Sequence, residues 1–428
     1  MLIATLFGTF GVLVLLAAPI GFSLGTACLA TLLAKGRPLD ILVQRIMDTL
    51  DSFPFLAIPF FLLAGSLMET GGISGRLVRL ANVLVGRFRG GLAQVTIVST
   101  ILFSDISGSS SADTAAIGSV TIPAMRRAGY PLDFVTALVA AAGATGVLIP
   151  PCITMVIYGF ITNTSIAALF IAGFLPGILM AVSIIVVTYI AARSRRLPAE
   201  APPTRAEVIA AVRGALLPMG MPVVILGGIL GGLFTVTEAA VVAVVYGLIV
   251  ALTTRAMRIR QLPRLMIETA VLTGMVMTVA CLASLFQWIL STEGIPSTIG
   301  NWIKAASSSP VVFLLLVNVL FLILGCFLDS AASLLLAMPV LFPIAQQYGI
   351  DPVHFGIVAT ANLGIGMITP PVGMCLFIAC SISGVSIDRT FKPLFPYIAA
   401  LIVALLIMTY WPGLVLLAPK TFLGYVPK

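Results

Sequence analysis

Hydroxyls and carboxylates crowd one short run of the chain: Ser104, Asp105, Ser107, Ser109, Ser110, Ser111, Asp113 and Thr114 all fall within SDISGSSSADT (104–114). The run lies among apolar residues, where polar groups are costly and mark functional positions. Hard oxygen donors with few full charges suit an alkali cation better than a transition metal. The alternative needs no ion, because small residues such as Ser and Gly also let membrane helices approach closely. Further on, GATGVLIPPCI (143–153) sets Pro150 beside Pro151 inside an apolar stretch. Each proline removes a backbone donor and clashes with the preceding turn, and hydrocarbon offers the freed carbonyls no water. That backbone must face something other than lipid.

The same arrangement returns later in the chain. GVLIPPCI (146–153) aligns with GMITPPVG (366–373), an offset of 220 residues, and at that offset Ile122-Pro123 falls on Phe342-Pro343, Gly129 on Gly349, and Ser107 to Asp113 on Phe327 to Ser333. Asp329, Ser330 and Ser333 thus stand where Ser109, Ser110 and Asp113 stood, again ahead of a twin-proline segment. This repetition favours function over packing alone. Two halves on one plan are the mark of a secondary transporter whose binding site lies between repeats.

Positioning such groups requires a membrane scaffold, and the composition supplies one. Over 428 residues, 60% are hydrophobic, 9% are charged and the mean hydropathy is +1.17, whereas in soluble globular proteins about a quarter of residues are charged. The fold class is an all-α polytopic membrane protein. Apolar runs near or above the roughly 20 residues that cross a bilayer recur at 1–33, 53–70, 135–160, 169–191, 214–253, 266–290, 353–380 and 394–418. The net charge of +8 does not indicate nucleic acid, because no basic block is interleaved with aromatics and basic loops in membrane proteins report topology. Cys28, Cys152, Cys281, Cys326, Cys375 and Cys380 lack metal-ligand spacing and read as packing residues. The start, MLIATLFGTFG, has neither a basic n-region nor a small-residue cleavage site and reads as a retained membrane segment.

Each half reads as a helical hairpin (1–33; 214–253), a single span, and an amphipathic segment along the interface (73–88; 295–305). A polar-centred re-entrant helical hairpin and two further spans complete it. Pro19 and Gly21 favour a hairpin over one long helix at 1–33. The expected domains are a first repeat at 1–192, with scaffold 1–88 and transport part 89–175. An Arg-rich cytoplasmic linker at 193–213 leads to a second repeat at 214–428, with scaffold 214–308, transport part 309–392 and a last span at 394–418. Five crossings per half make the repeats inverted. With the linker inside, 17 of the 23 basic residues fall on the cytoplasmic side, Arg255 among them, and Lys35, Arg37, Arg45, Lys304, Lys420 and Lys428 fall outside, as the positive-inside rule favours.

Glu238 follows Thr235 by three residues and reads as a capping box rather than a proton carrier. His354, the only histidine, stands beside Asp351-Pro352 and reads as interfacial; Trp288, Trp302 and Trp411 read as anchors near span ends. An intramembrane hydrolase is disfavoured, since that histidine is remote in sequence from both serine clusters and Asp105, Asp113 and Asp329 lack a GxGD-type context. A mere anchor subunit is disfavoured by the duplicated polar hairpins.

SGSSSADTAAIGSVTIPAM followed by GATGVLIPPCI, with PVVILGGILGGLFTVTEAAVVAVVYGL and GIGMITPPVGM, resembles the large membrane subunit of TRAP (tripartite ATP-independent periplasmic) transporters over essentially the whole chain. One departure is Val236, where the family commonly has proline. The resemblance implies a sodium-driven elevator in the inner membrane, with a transport domain sliding in the lipid bilayer against a scaffold that binds a small four-helix membrane subunit. It also implies a periplasmic substrate-binding protein that delivers a small organic anion, a C4-dicarboxylate or a sialic acid. Carried over by motif, Ser107, Ser109, Gly146, Ile149 and Pro151 hold one sodium ion; Gly325, Asp329, Gly366 and Thr369 frame a second; Asp113 and Thr154 meet substrate. No arginine lies in either motif, which leaves neutralisation of a carboxylate to bound sodium and helix N-termini. The nearer alternative is a stand-alone sodium/carboxylate elevator symporter that needs no binding protein.

Overall fold

The structure, a computed structural model, describes residues 2–16, 18–70, 72–198, 202–254, 257–306 and 309–427. Arg255, Lys428, positions 199–201 of the connecting segment and the Lys304 side chain fall outside them. Among the described residues every regular element is helical. The first half runs α1 (Leu2–Leu15), α2 (Ile20–Ala34), α3 (Asp40–Leu50), α4 (Ala57–Thr70), α5 (Ile73–Val85), α6 (Gly91–Ser107), α7 (Ser110–Arg127), α8 (Leu132–Thr145), α9 (Ile153–Thr162) and α10 (Ile166–Ser194). The second runs α11 (Arg205–Leu230), α12 (Val236–Thr253), α13 (Leu262–Thr292), α14 (Ile295–Ala306), α15 (Pro310–Phe327), α16 (Ser330–Gln347), α17 (Pro352–Gly366), α18 (Met374–Ser383), α19 (Ile387–Tyr410) and α20 (Pro412–Leu423). The starts of α15 to α19 follow those of α6 to α10 by 219 to 221 residues, from 310 less 91 to 387 less 166.

Eight stretches among the described residues are long and apolar enough to cross a membrane. Their outer faces carry exposed apolar side chains, such as Val186 and Ile190 on α10, Leu216 and Val223 on α11, and Met275 on α13, as expected of helices solvated by lipid. By length α15 and α16 each suffice to cross, so the hairpin character of α15–α16 rests on where its tip goes. At the amino end, α1 and α2 are separate helices packed on each other, because Pro19 starts the second with no helical partner for its own nitrogen.

Three expectations are corrected. The last span is not a single run over 394–418: α19 starts at Ile387 and stops at Tyr410, and α20 begins anew at Pro412, where proline suits a first helical position and cannot continue the preceding helix. Helix α3, amphipathic and carrying Asp40, Arg45 and Asp48, fills a segment between apolar runs, and its charges hid it from a search for spans. His354 is 2% exposed and its Nε2 lies 2.9 Å from the Met408 carbonyl oxygen, so it sits inside the bundle rather than at an interface.

Caps set the helix starts. Thr235 Oγ1 accepts from the Glu238 nitrogen at 3.3 Å while the Glu238 carboxylate accepts from the Thr235 nitrogen at 2.7 Å, the capping box expected from sequence. Thr204 and Glu207 do the same for α11, which makes 205–213 of the connecting segment helical. Asp351 accepts from the Val353 and His354 nitrogens at 2.9 and 3.0 Å to open α17. The Tyr425 hydroxyl donates to the same carboxylate at 3.0 Å, pinning the tail beyond α20 to that helix start.

Two groups of helices form the bundle. In one, α4 packs on α12, α5 on α11, and α13 on α2 and α3. In the other, the α6–α7 and α15–α16 hairpins enclose α8, α9, α17 and α18, with α10 and α19 alongside. The halves interlock there: α16 of the second packs on α9 of the first, and α18 of the second packs on α7 and α8 of the first.

Candidate cation and substrate site

The first hairpin turns at Gly108 and Ser109. Gly108 has φ +62°, a conformation that glycine adopts without strain, and a Cβ placed there would lie 2.7 Å from the Pro151 carbonyl oxygen. The Gly108 carbonyl accepts from the Ile153 nitrogen at 3.4 Å. The tip is therefore pressed onto the break between α8 and α9, where Gly146–Leu148 tighten into a 3-10 turn and Ile149 is extended. Pro150-Pro151 and Pro370-Pro371 are both cis.

Asp113, on the first turn of α7, is fully buried and accepts from both the Ser104 and Ser107 hydroxyls. Ser104 also donates to the Thr100 carbonyl at 2.7 Å, and the Ser109 nitrogen donates to Ser107 Oγ at 3.2 Å. Gly146 abuts this group, for a Cβ on it would strike the Asp113 carboxylate and come within 2.6 Å of Ser104 Oγ. The fold thus gathers Ser107, Ser109, Gly146, Ile149 and Pro151 around one tip. It turns the Asp113 carboxylate inward onto those serines and away from Thr154. Ser104, part of the polar cluster but outside the residues assigned a role from sequence, is the missed partner that fixes it.

At the second hairpin, Gly325 and Gly366 bring α15 and α17 almost into backbone contact: a Cβ on Gly366 would lie 2.7 Å from the Gly325 Cα. Cys326 Sγ donates to the Thr369 carbonyl at 3.0 Å, and the Gly373 nitrogen donates to the Cys326 carbonyl at 2.9 Å, so this tip too rests on the proline-broken segment. Asp329 caps α16, accepting from the Ala331 nitrogen at 3.1 Å. It makes no recorded hydrogen bond to Gly366 or Thr369. Ser333, at the place of Asp113, is fully buried with a hydroxyl that has no protein partner.

Thr154 and Ser330 join the two tips, hydroxyl to hydroxyl at 3.3 Å, and both are buried. On the side of α3 and α13, a cavity of about 260 Å³ opens between those helices and α9 and α16, with Arg45, Asn163 and Gln287 in its wall. Arg45 is the cation absent from both motifs. Its guanidinium lies 5.4 Å from the Trp288 ring centroid, which holds it over the cavity by a cation–π contact. Among the described residues no cluster of three His, Cys, Asp or Glu side chains is arranged to hold a metal; the oxygen donors at both tips are hydroxyls, carbonyls and single carboxylates.

A helical bundle with duplicated hairpin tips set against broken helices is a multi-pass membrane transport protein, not an enzyme. The chain belongs to the DctM component of the tripartite ATP-independent periplasmic transporters, whose family model matches residues 7–414, and is an inner-membrane large permease subunit. It is 44% identical over 400 residues to the C4-dicarboxylate TRAP transporter large permease protein DctM of Pseudomonas aeruginosa, covering 93% of this chain and 94% of that one. It is 37% identical over 426 residues to the sialic acid TRAP transporter large permease protein SiaM of Vibrio cholerae, covering 99% and 100%. In fold it is similar to the YdaH transporter of Alcanivorax borkumensis, at a TM-score of 0.64 and 17% identity over 88% of this chain and 89% of that chain.

Proposed function

We propose that this permease carries a small organic anion inward in symport with sodium, receiving it from a periplasmic binding protein and working beside a small four-helix membrane subunit. The observation that carries this reading is the pair of hairpin tips, each seated on a proline-broken helix and meeting at Thr154 and Ser330. Opened carbonyls and hydroxyls at each tip suit sodium, which takes hard neutral oxygens. The hydroxyls of Thr154 and Ser330, each on the first turn of a helix whose positive end faces them, suit a carboxylate.

The substrate class is a C4-dicarboxylate or a sialic-acid-like carboxylate, in keeping with the relatives. Arg45 supplies the outer anion-attracting charge. The group holding both tips acts as the moving body and the group of α2, α4, α5 and α11 to α13 as the scaffold, the two related as inverted repeats in an elevator. Uptake of labelled succinate and of labelled N-acetylneuraminate into proteoliposomes, each with its matching binding protein and small subunit, tests the reading. Transport that requires the binding protein supports it; equal transport without one favours the stand-alone symporter.

A further inference from the structure

Away from the tips, the membrane interior holds another polar group. Asn318 of α15, Asn362 of α17 and Thr409 of α19 are 3%, 0% and 0% exposed. Asn362 Nδ2 donates to Asn318 Oδ1 at 2.8 Å and to the Val358 carbonyl at 2.8 Å. Asn318 Nδ2 donates to Thr409 Oγ1 at 3.2 Å, and that hydroxyl donates to the Leu405 carbonyl at 2.7 Å. Flipping the Asn362 amide would set oxygen against two acceptor oxygens, so its orientation is fixed by its neighbours. Its Oδ1 is then left buried and accepts no hydrogen bond from the protein. A buried polar atom without a partner calls for a ligand, water or ion.

The packing of the seam does not require these polar groups. At the offset of 220 residues the first half has Val98, Ala142 and Tyr189 in their places, and its α6, α8 and α10 assemble all the same. Their position is also specific. Asn362 stands four residues before Gly366 and Asn318 seven before Gly325, so each lies on the same helix face as a glycine of the second tip. Those faces meet, since a Cβ on Gly325 would lie 3.0 Å from the Leu363 carbonyl oxygen and 3.1 Å from the Gly366 Cα.

We propose that Asn318, Asn362 and Thr409 form an additional monovalent-cation station on the α15–α17 seam, one helical turn from the second tip. The free Asn362 Oδ1 is its first ligand. Asn318 Oδ1 and Thr409 Oγ1 each retain an acceptor lone pair beyond the hydrogen bonds above. Neutral amide and hydroxyl oxygens, with no carboxylate among them, suit sodium rather than calcium or magnesium, whose sites draw on carboxylates. The station deepens the sodium-coupled reading and rests on it.

Equilibrium binding of radiolabelled sodium to the purified full chain tests it, with monodisperse elution as the check on folding. Asn362→Leu is expected to lose about one sodium per chain while the others remain. Thr409→Val, which keeps shape and loses only the hydroxyl, is expected to weaken one class of sodium sites about tenfold. Asn362→Asp keeps the full number and binds more tightly. Equal sodium counts and affinities in wild type and in all three folded variants would overturn the station and leave sodium coupling standing, with the orphaned oxygen then hydrated by water. Wild-type chain that binds no sodium at all removes both.

Discussion

Thr154 and Ser330, 176 residues apart in sequence, point their hydroxyls at each other across 3.3 Å where the first half's broken helix meets the second half's hairpin. Both are otherwise buried, and each lies on the first turn of its helix. A carboxylate entering here would take both hydroxyls as donors. Thr154→Val and Ser330→Ala should each raise the substrate KM about fivefold to tenfold, the loss of about 1 kcal/mol for one neutral hydrogen bond. The double variant should fall short of the product of the singles, because they share one ligand group. Unchanged KM in both singles would remove these residues from the substrate site.

Gly146→Ala is the sharpest probe of the first tip. The added methyl would strike the Asp113 carboxylate and Ser104, displacing the serines that face the break. Sodium-dependent uptake should drop at least tenfold, and Ser107→Leu or Ser109→Leu should abolish it with assembly intact. As a control, Gly274→Ala on α13, whose Cβ would meet nothing within 4 Å, should transport normally. Full sodium-driven flux in Gly146→Ala and the serine variants would remove the site assignment.

The polar hairpins, the twin prolines and the 220-residue repeat were legible because each breaks a rule of lipid-facing helices. Lost hydrogen-bond donors and hydroxyls in an apolar run must be answered by something in the fold. What escaped were relationships that need three dimensions. Nothing in the spacing of Asp113 shows that Ser104 and Ser107 claim both its oxygens. Thr154 gives no hint of Ser330. Asn318 and Asn362, isolated polar residues in apolar helices, carried a usable signal that neither forms a cluster in sequence nor repeats in the first half. The break at Trp411-Pro412 was also written in the chain, but the hydrophobicity on either side masked it.

Glu238 is engaged as a cap, accepting from both the nitrogen and the hydroxyl of Thr235. Glu238→Gln should retain the cap and wild-type transport rates at every pH. Thr235→Ala should lower thermal stability by about 1 kcal/mol, the usual cost of a lost cap, with turnover per folded molecule preserved. A loss of transport in Glu238→Gln would make the carboxylate a proton carrier instead.

All six native cysteines are buried and unpaired, so introduced thiols can be read against a quiet background. Cysteines placed at 205 and 213 should react with impermeant reagent only from the cytoplasmic side, and cysteines at 45 and 163 only from the periplasmic side. The opposite pattern would invert the topology.

The central claim is that sodium drives the carrier, and the most direct measurement is substrate uptake into proteoliposomes containing this permease, its small subunit and binding protein, under an imposed inward sodium gradient. Accumulation above the external concentration that collapses when the sodium gradient is abolished is the predicted result. Equal accumulation with sodium replaced by choline, or accumulation driven by a proton gradient alone, would contradict it.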